Sequence, residues 1–235
     1  MMNRFSSSLI ARIRTLNHDQ RIIPVKLRPR LQKLPEIRAV LFDVYGTLVD
    51  SGTEPFRSLS RRILSRQIKN LLRRAGFIPC RPSAGVSVLD TLQERIAHAH
   101  RLAHAHGIDY PEVDILNIWR QVLRLSIQRG WIKGDMKAPL ITRIALEFEG
   151  AHNPVALMPG VKNMLARLHQ RGISMGIVSN AQFYTPLILQ ILFGASLAKI
   201  GFDRSLCIWS YRFGRAKPSP DLLKLALERI GQKYG

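Results

Sequence analysis

Apolar and polar positions alternate with two different periods along this chain. Ala39–Phe42, Ile173–Val178 and Leu206–Trp209 are short, nearly unbroken apolar runs, the length and content of buried strands. Val161–Gln170, Pro186–Phe193 and Asp221–Ile230 carry apolar residues at helical spacing. Pro159-Gly160 opens the first of these helices and Gly231 closes the last. Strand, helix, strand, helix, strand is the order of a parallel sheet with helical crossovers.

Between the first strand and the rest lies a block with the helical period only. Leu59, Ile63, Leu64, Ile68, Leu71 and Leu72 mark one helix, and Gly76, Pro79 and Pro82 end it. Further helices are predicted over Val88–His106, Pro111–Gln128 and Ile141–Glu149, with Pro111 in a first-turn position. The expected fold is α/β, a doubly wound parallel (Rossmann-like) sheet interrupted by an inserted helical domain. Its parts are a core over 36–53 and 154–235, the helical block over 54–153, and a basic, disordered extension over 1–35.

Charge adds one constraint. The chain has 235 residues and a formal net charge of +20. Residues 1–38 carry nine Lys and Arg against two acids, but the remainder keeps 27 against 14. The excess is spread out and never interleaved with aromatics, which argues against a nucleic-acid surface and for a general field that attracts small anionic substrates. No apolar run reaches the roughly 18 residues of a membrane-spanning helix. Cys80 and Cys207 match no metal spacing and read as thiols in a reducing compartment, so a cytoplasmic location is expected. The Arg- and Ser-rich composition of residues 1–35 leaves an organellar address as the alternative.

The candidate chemistry lies at the strand ends. Asp43 stands where the first run stops, and Gly46 follows in a turn. Ser179-Asn180 closes the second run, and Lys217 follows the third. The carboxyl ends of parallel strands share one edge, so these side chains are expected to converge. Asp43 can attack phosphorus as a nucleophile, and Lys217 can offset the charge of carboxylate and phosphoryl group together. Ser179 and the amides around Gly46, Thr47 and Asn180 can receive phosphate oxygens.

These residues resemble the motifs of the haloacid dehalogenase-like hydrolases. Asp43-Val44-Tyr45-Gly46-Thr47 is similar to the first motif, with its nucleophilic aspartate. Ile177-Val178-Ser179-Asn180 is similar to the second and Lys217-Pro218-Ser219-Pro220 to the third. The resemblance covers about residues 36–235 and implies that block 54–153 is a cap that closes over the site and selects substrate. It implies an aspartate-nucleophile hydrolase, most readily a phosphatase of a small phosphorylated metabolite, with Asp43, Tyr45 and Lys217 catalytic. The phosphatase reading brings Mg²⁺, held by the Asp43 side chain and the Tyr45 carbonyl; the dehalogenase reading needs no metal.

Two positions depart from the family pattern. The phosphatases carry a general-acid aspartate two residues after the nucleophile, where this chain has Tyr45. The dehalogenase branch has a tyrosine there, but it also has one where this chain has Leu223, and its halide arginine maps only loosely to Arg57 or Arg61. The fourth motif, which supplies the remaining Mg²⁺ carboxylates, has no counterpart: no Asp or Glu follows Glu228. The expectation is a hydrolase truncated before its last core strands, with weak or no activity and with Ala39–Phe42 left as an exposed apolar sheet edge, for which Arg21–Leu27 is only a lesser candidate cover. The alternatives are a 2-haloacid dehalogenase and a non-catalytic remnant that binds anions or a partner. Oligomeric state has no signature here.

Overall fold

A computed structural model of the chain describes residues 36–51 and 61–234, with Ala11, Gln32 and Leu34 as isolated positions. The basic extension, the segment Arg21–Leu27 and Arg57 lie outside the described residues. Three strands form the central sheet in the order β1 (Ala39–Phe42), β6 (Ser174–Ser179), β7 (Phe202–Trp209), all parallel. Between β1 and β6 run β2 (Val49–Ser51), α1 (Arg61–Arg74), β3 (Ile78–Pro79), α2 (Ala84–Ala105), α3 (Ile115–Gln128), β4 (Ile132–Lys133), α4 (Ala138–His152), β5 (Val155–Leu157) and α5 (Val161–Gln170). After β6 come α6 (Thr185–Phe193) and α7 (Leu197–Ile200), and after β7 comes α8 (Asp221–Tyr234).

The middle strand shows why the sheet is covered on both sides. Met175 and Ile177 of β6 point into a core shared with Phe42, Leu165, Leu187 and Phe202. Val178 points the other way, onto Ile208, Leu222 and Ala226 of β7 and α8. Helices on both faces make the sheet doubly wound, as the unbroken apolar runs predict. Gly176 sits between these layers in a gap that admits no side chain. A Cβ there would stand 2.6 Å from Leu41 Cδ2 and 2.7 Å from the Leu206 carbonyl oxygen.

The helical block has a core of its own. Leu72 of α1, Val88 of α2, Trp119 and Leu123 of α3 and Ile144 of α4 are all fully enclosed. At its boundary with the sheet, β2 pairs antiparallel with β5, Asp50 opposite Ala156. The chain thus leaves and rejoins the sheet layer through two segments that hold each other. Asp50 belongs to this ladder.

Most predicted elements form within a few residues of their expected ends. The largest correction is at Pro111. It does not open α3, because Asp114 caps that helix, its carboxylate accepting from the Leu116 and Asn117 amides at 2.9 and 3.4 Å. Pro111 instead pairs antiparallel with Arg215. Strand β7 begins four residues earlier than its apolar run, because its first half is a sheet edge that tolerates Asp203, Arg204 and Ser205. The pairs β2–β5 and β3–β4 were not predicted; they are too short for any period to register. Among the described residues no helix is long and apolar enough to cross a membrane.

Candidate active site

Each predicted strand end places its residue at one edge of the sheet. Asp43 follows β1 directly, and the Val44 amide donates to its Oδ1 at 2.8 Å, which fixes the carboxylate's rotation. Gly46 adopts φ 77°, a left-handed shape that glycine takes without strain, and turns the chain back so that its amide meets the Val49 carbonyl at 2.8 Å. The Thr47 amide likewise reaches the Val44 carbonyl at 3.2 Å. The amides of Gly46 and Thr47, expected to receive phosphate oxygens, are therefore engaged in closing the turn that presents Asp43.

Lys217 meets Asp43 across the edge. Its Nζ lies 3.0 Å from Asp43 Oδ1 and donates to the Val178 carbonyl at 3.0 Å, so the ammonium bridges the ends of β1 and β6. Asn180 fixes the lysine's backbone: its Oδ1 accepts from the Lys217 amide at 2.7 Å and its Nδ2 donates to the Lys217 carbonyl at 3.0 Å. Both polar ends of the Asn180 side chain are thus occupied, which makes it a holder of the lysine. Ser179 is fully buried, and its hydroxyl donates to the Asn180 carbonyl at 3.3 Å. Asp43, Asn180 and Lys217 meet at this edge, while the Ser179 hydroxyl stays buried on the neighbouring carbonyl.

Tyr45 turns away from this group. Its hydroxyl shares a 2.9 Å hydrogen bond with Thr185 Oγ1 at the start of α6. Burial, and then the charge of Glu149, push its ionisation well above the ordinary tyrosine value. Glu149 itself is shifted upward by burial, against the pull of hydrogen bonds from Asn153 and from Tyr184, whose hydroxyl donates at 2.8 Å. None of Thr185, Tyr184 or Glu149 carried a sequence signal, because each acts through a neighbour distant in the chain.

The donors suited to a metal are few. Among the described residues no group of three His, Cys, Asp or Glu side chains converges, and Asp43 already faces an ammonium. One carboxylate and the Tyr45 carbonyl fall short of the near-octahedral oxygen shell that Mg²⁺ demands. The residues described do not make a complete Mg²⁺ site. Arg61, one candidate for a halide site, is ion-paired with Asp90 on the surface.

A family model for haloacid dehalogenase-like hydrolases matches residues 37–235. The chain belongs to that family. A phosphoglycolate phosphatase of Pseudomonas fluorescens is 29% identical over 198 residues, which cover 83% of this chain and 58% of the relative. The chain therefore spans little more than half the length of that relative. The phosphoglycolate phosphatase of Salmonella typhimurium is 25% identical over 207 residues, 86% of this chain and 72% of its own. Among solved structures, CbbY of Rhodobacter sphaeroides in complex with phosphate aligns with TM-score 0.41 and 17% identity, covering 83% of this chain and 73% of that one. An L-2-haloacid dehalogenase aligns with TM-score 0.39 and 22% identity over 83% of this chain and 73% of its own.

Proposed function

We propose that the chain is a phosphatase-type member of this family, acting on a small phosphorylated metabolite with Asp43 as nucleophile and block 54–153 as its cap. The observation that carries this reading is the Lys217 ammonium 3.0 Å from Asp43 Oδ1 at the carboxyl edge of a parallel sheet. In the proposed reaction an Asp43 oxygen bonds to phosphorus as the ester P–O bond breaks, and water then hydrolyses the aspartyl-phosphate. Lys217 offsets charge on the carboxylate and the phosphoryl oxygens, the term that dominates such transfers. Asn180 keeps the lysine backbone in register, and Tyr45 packs under the turn without supplying the leaving group's proton. That proton comes from solvent, so esters with good leaving groups are the favoured substrates.

The test is hydrolysis of p-nitrophenyl phosphate by the wild type and by Asp43→Asn. Turnover that disappears in the variant supports the assignment; turnover retained by Asp43→Asn refutes the nucleophile.

A second reading is 2-haloacid dehalogenase chemistry. It is favoured by Tyr45 two residues after the nucleophile and by the scarcity of metal donors around Asp43 among the described residues. A halide leaves without a proton, so no general acid is required there. Chloride release from 2-chloropropionate with no phosphatase activity would select it.

A further inference from the structure

We infer that Glu112 is a positioning residue that clamps the helical block onto the loop carrying Lys217. Segment 110–114 lies in the connection from α2 to α3 and meets the loops that follow β6 and β7. The Ala216 amide donates to the Tyr110 carbonyl at 2.8 Å, and the Glu112 amide donates to the Gly214 carbonyl at 3.1 Å. These bonds hold the residues immediately before Lys217 in a short antiparallel bridge.

The Glu112 side chain then ties two sheet loops together. Its Oε2 accepts from the Ser210 hydroxyl, just after β7, at 2.8 Å. Its Oε1 accepts from Gln182 Nε2, just after β6, at 3.0 Å and from the Val113 amide at 3.1 Å. Gln182 returns the contact, since its Oε1 accepts from the Ile115 amide at 3.1 Å and its Nε2 also donates to the Val113 carbonyl at 2.8 Å. Ser210 is fully buried and accepts from the Ala181 amide at 2.8 Å. One carboxylate from the helical block thus sets the spacing between the loop that begins at Asn180 and the loop that ends at Lys217. Linked hydrogen bonds reinforce each other. The same array that anchors the helical block to the sheet loops therefore sets the placement of the lysine.

The test compares Glu112→Ala and Glu112→Gln by hydrogen exchange of the full chain. In Glu112→Ala the amides of 214–217 are expected to exchange at least tenfold faster while those of 175–178 in β6 stay unchanged. Glu112→Gln is expected to restore the wild-type pattern to within threefold. Its amide oxygen keeps Gln182 and Val113, and its NH₂ donates to Ser210, whose own proton turns to the Ala181 carbonyl 3.2 Å away. If Glu112→Ala does not fold, Ser210→Ala removes one bond of the same array and is expected to loosen the same amides. Unchanged exchange at 214–217, or an equal rise in β6, overturns the inference.

The kinetic arm rests on the phosphatase reading: kcat for p-nitrophenyl phosphate is expected to fall at least tenfold in Glu112→Ala, with KM within threefold, and to recover in Glu112→Gln. A fall in melting temperature with kcat unchanged overturns the positioning role. If the wild type hydrolyses no phosphomonoester, the phosphatase reading fails, and the exchange pattern alone decides the role of Glu112.

Discussion

Replacing Tyr45 with phenylalanine separates the two things a tyrosine beside the proposed nucleophile can do. The hydroxyl is bonded to Thr185 at 2.9 Å, and Thr185 Oγ1 also accepts the Gln182 amide at 3.3 Å, so the phenol belongs to the start of α6. Burial and the nearby Glu149 charge both raise its ionisation, which makes it a still weaker proton donor at neutral pH. A working general acid contributes about 10²–10⁴ in rate, or about 3–5 kcal/mol of barrier. If Tyr45 supplied that term, the phenylalanine variant would lose it, and most severely with an alkyl ester whose alkoxide needs the proton. If Tyr45 only packs, the variant loses one partly buried hydrogen bond, about 0.5–1.5 kcal/mol of stability. For a chain of this size that lowers the melting temperature by about 2–4 °C per kcal/mol. The expected outcome is kcat within threefold of wild type for both p-nitrophenyl phosphate and an alkyl phosphomonoester, with a slightly lower melting temperature. A drop of about a hundredfold or more with the alkyl ester alone would refute this reasoning.

Lys217→Ala is expected to reduce turnover by about 10²–10³, the usual cost of losing a donor aimed at developing charge. Its melting temperature should hardly change, because a partly exposed ion pair contributes only about 0–1 kcal/mol; steady-state kinetics with thermal unfolding checks both. Glu149→Gln tests the half-buried carboxyl that accepts from Tyr184 and Asn153. Its folded ionisation is raised by burial, so its contribution to stability is fully present below its ordinary range and is lost as pH rises through the folded value. Melting temperatures from pH 4 to pH 8 should show the glutamine variant gaining on the wild type as pH rises; a constant difference would contradict the assignment. Gly176→Ala forces a Cβ to within 2.7 Å of the Leu206 carbonyl oxygen in the central strand. It is expected to cost about 1–3 kcal/mol, read by denaturant titration.

What could be read from residues alone was local. An apolar run that stops at a single acid, a glycine turn, and a lysine after the third run each declare themselves within a few positions, and the parallel sheet turns their order into proximity. The roles of Asn180 and of the Gly46 and Thr47 amides were less legible. Whether an amide faces a ligand or closes its own turn depends on a partner carbonyl, and no periodicity encodes that. Pro111 misled for the same reason: proline suits a helix start, but Asp114 three residues on provides the stronger cap. Glu112 was invisible because its partners, Gln182 and Ser210, lie 70 and 98 residues away. The strand-end residues are legible by position, and the residues that hold them in place are legible only in three dimensions.

The charge of the chain and the charge of the site answer different questions. A net charge of +20 favours the approach of any anion. Its reach is limited to about 8 Å at physiological salt, so it accelerates encounter without choosing among anions. At the strand ends the arithmetic is closer to neutral, since the Asp43 carboxylate and the Lys217 ammonium offset each other at 3.0 Å. Under the proposed phosphatase reading, a phosphate arriving there meets a carboxylate of its own sign, and Lys217 is placed to serve both. The lysine must therefore hold its place as the substrate's charge comes in, and its own ion pair is too exposed to do this unaided. That task falls to neutral and acidic groups around it: Asn180 on its backbone, the Val178 carbonyl on its ammonium, and Glu112 on the loop that delivers it. In a chain this basic, the acid that governs the site's geometry is one that never touches the reacting atoms.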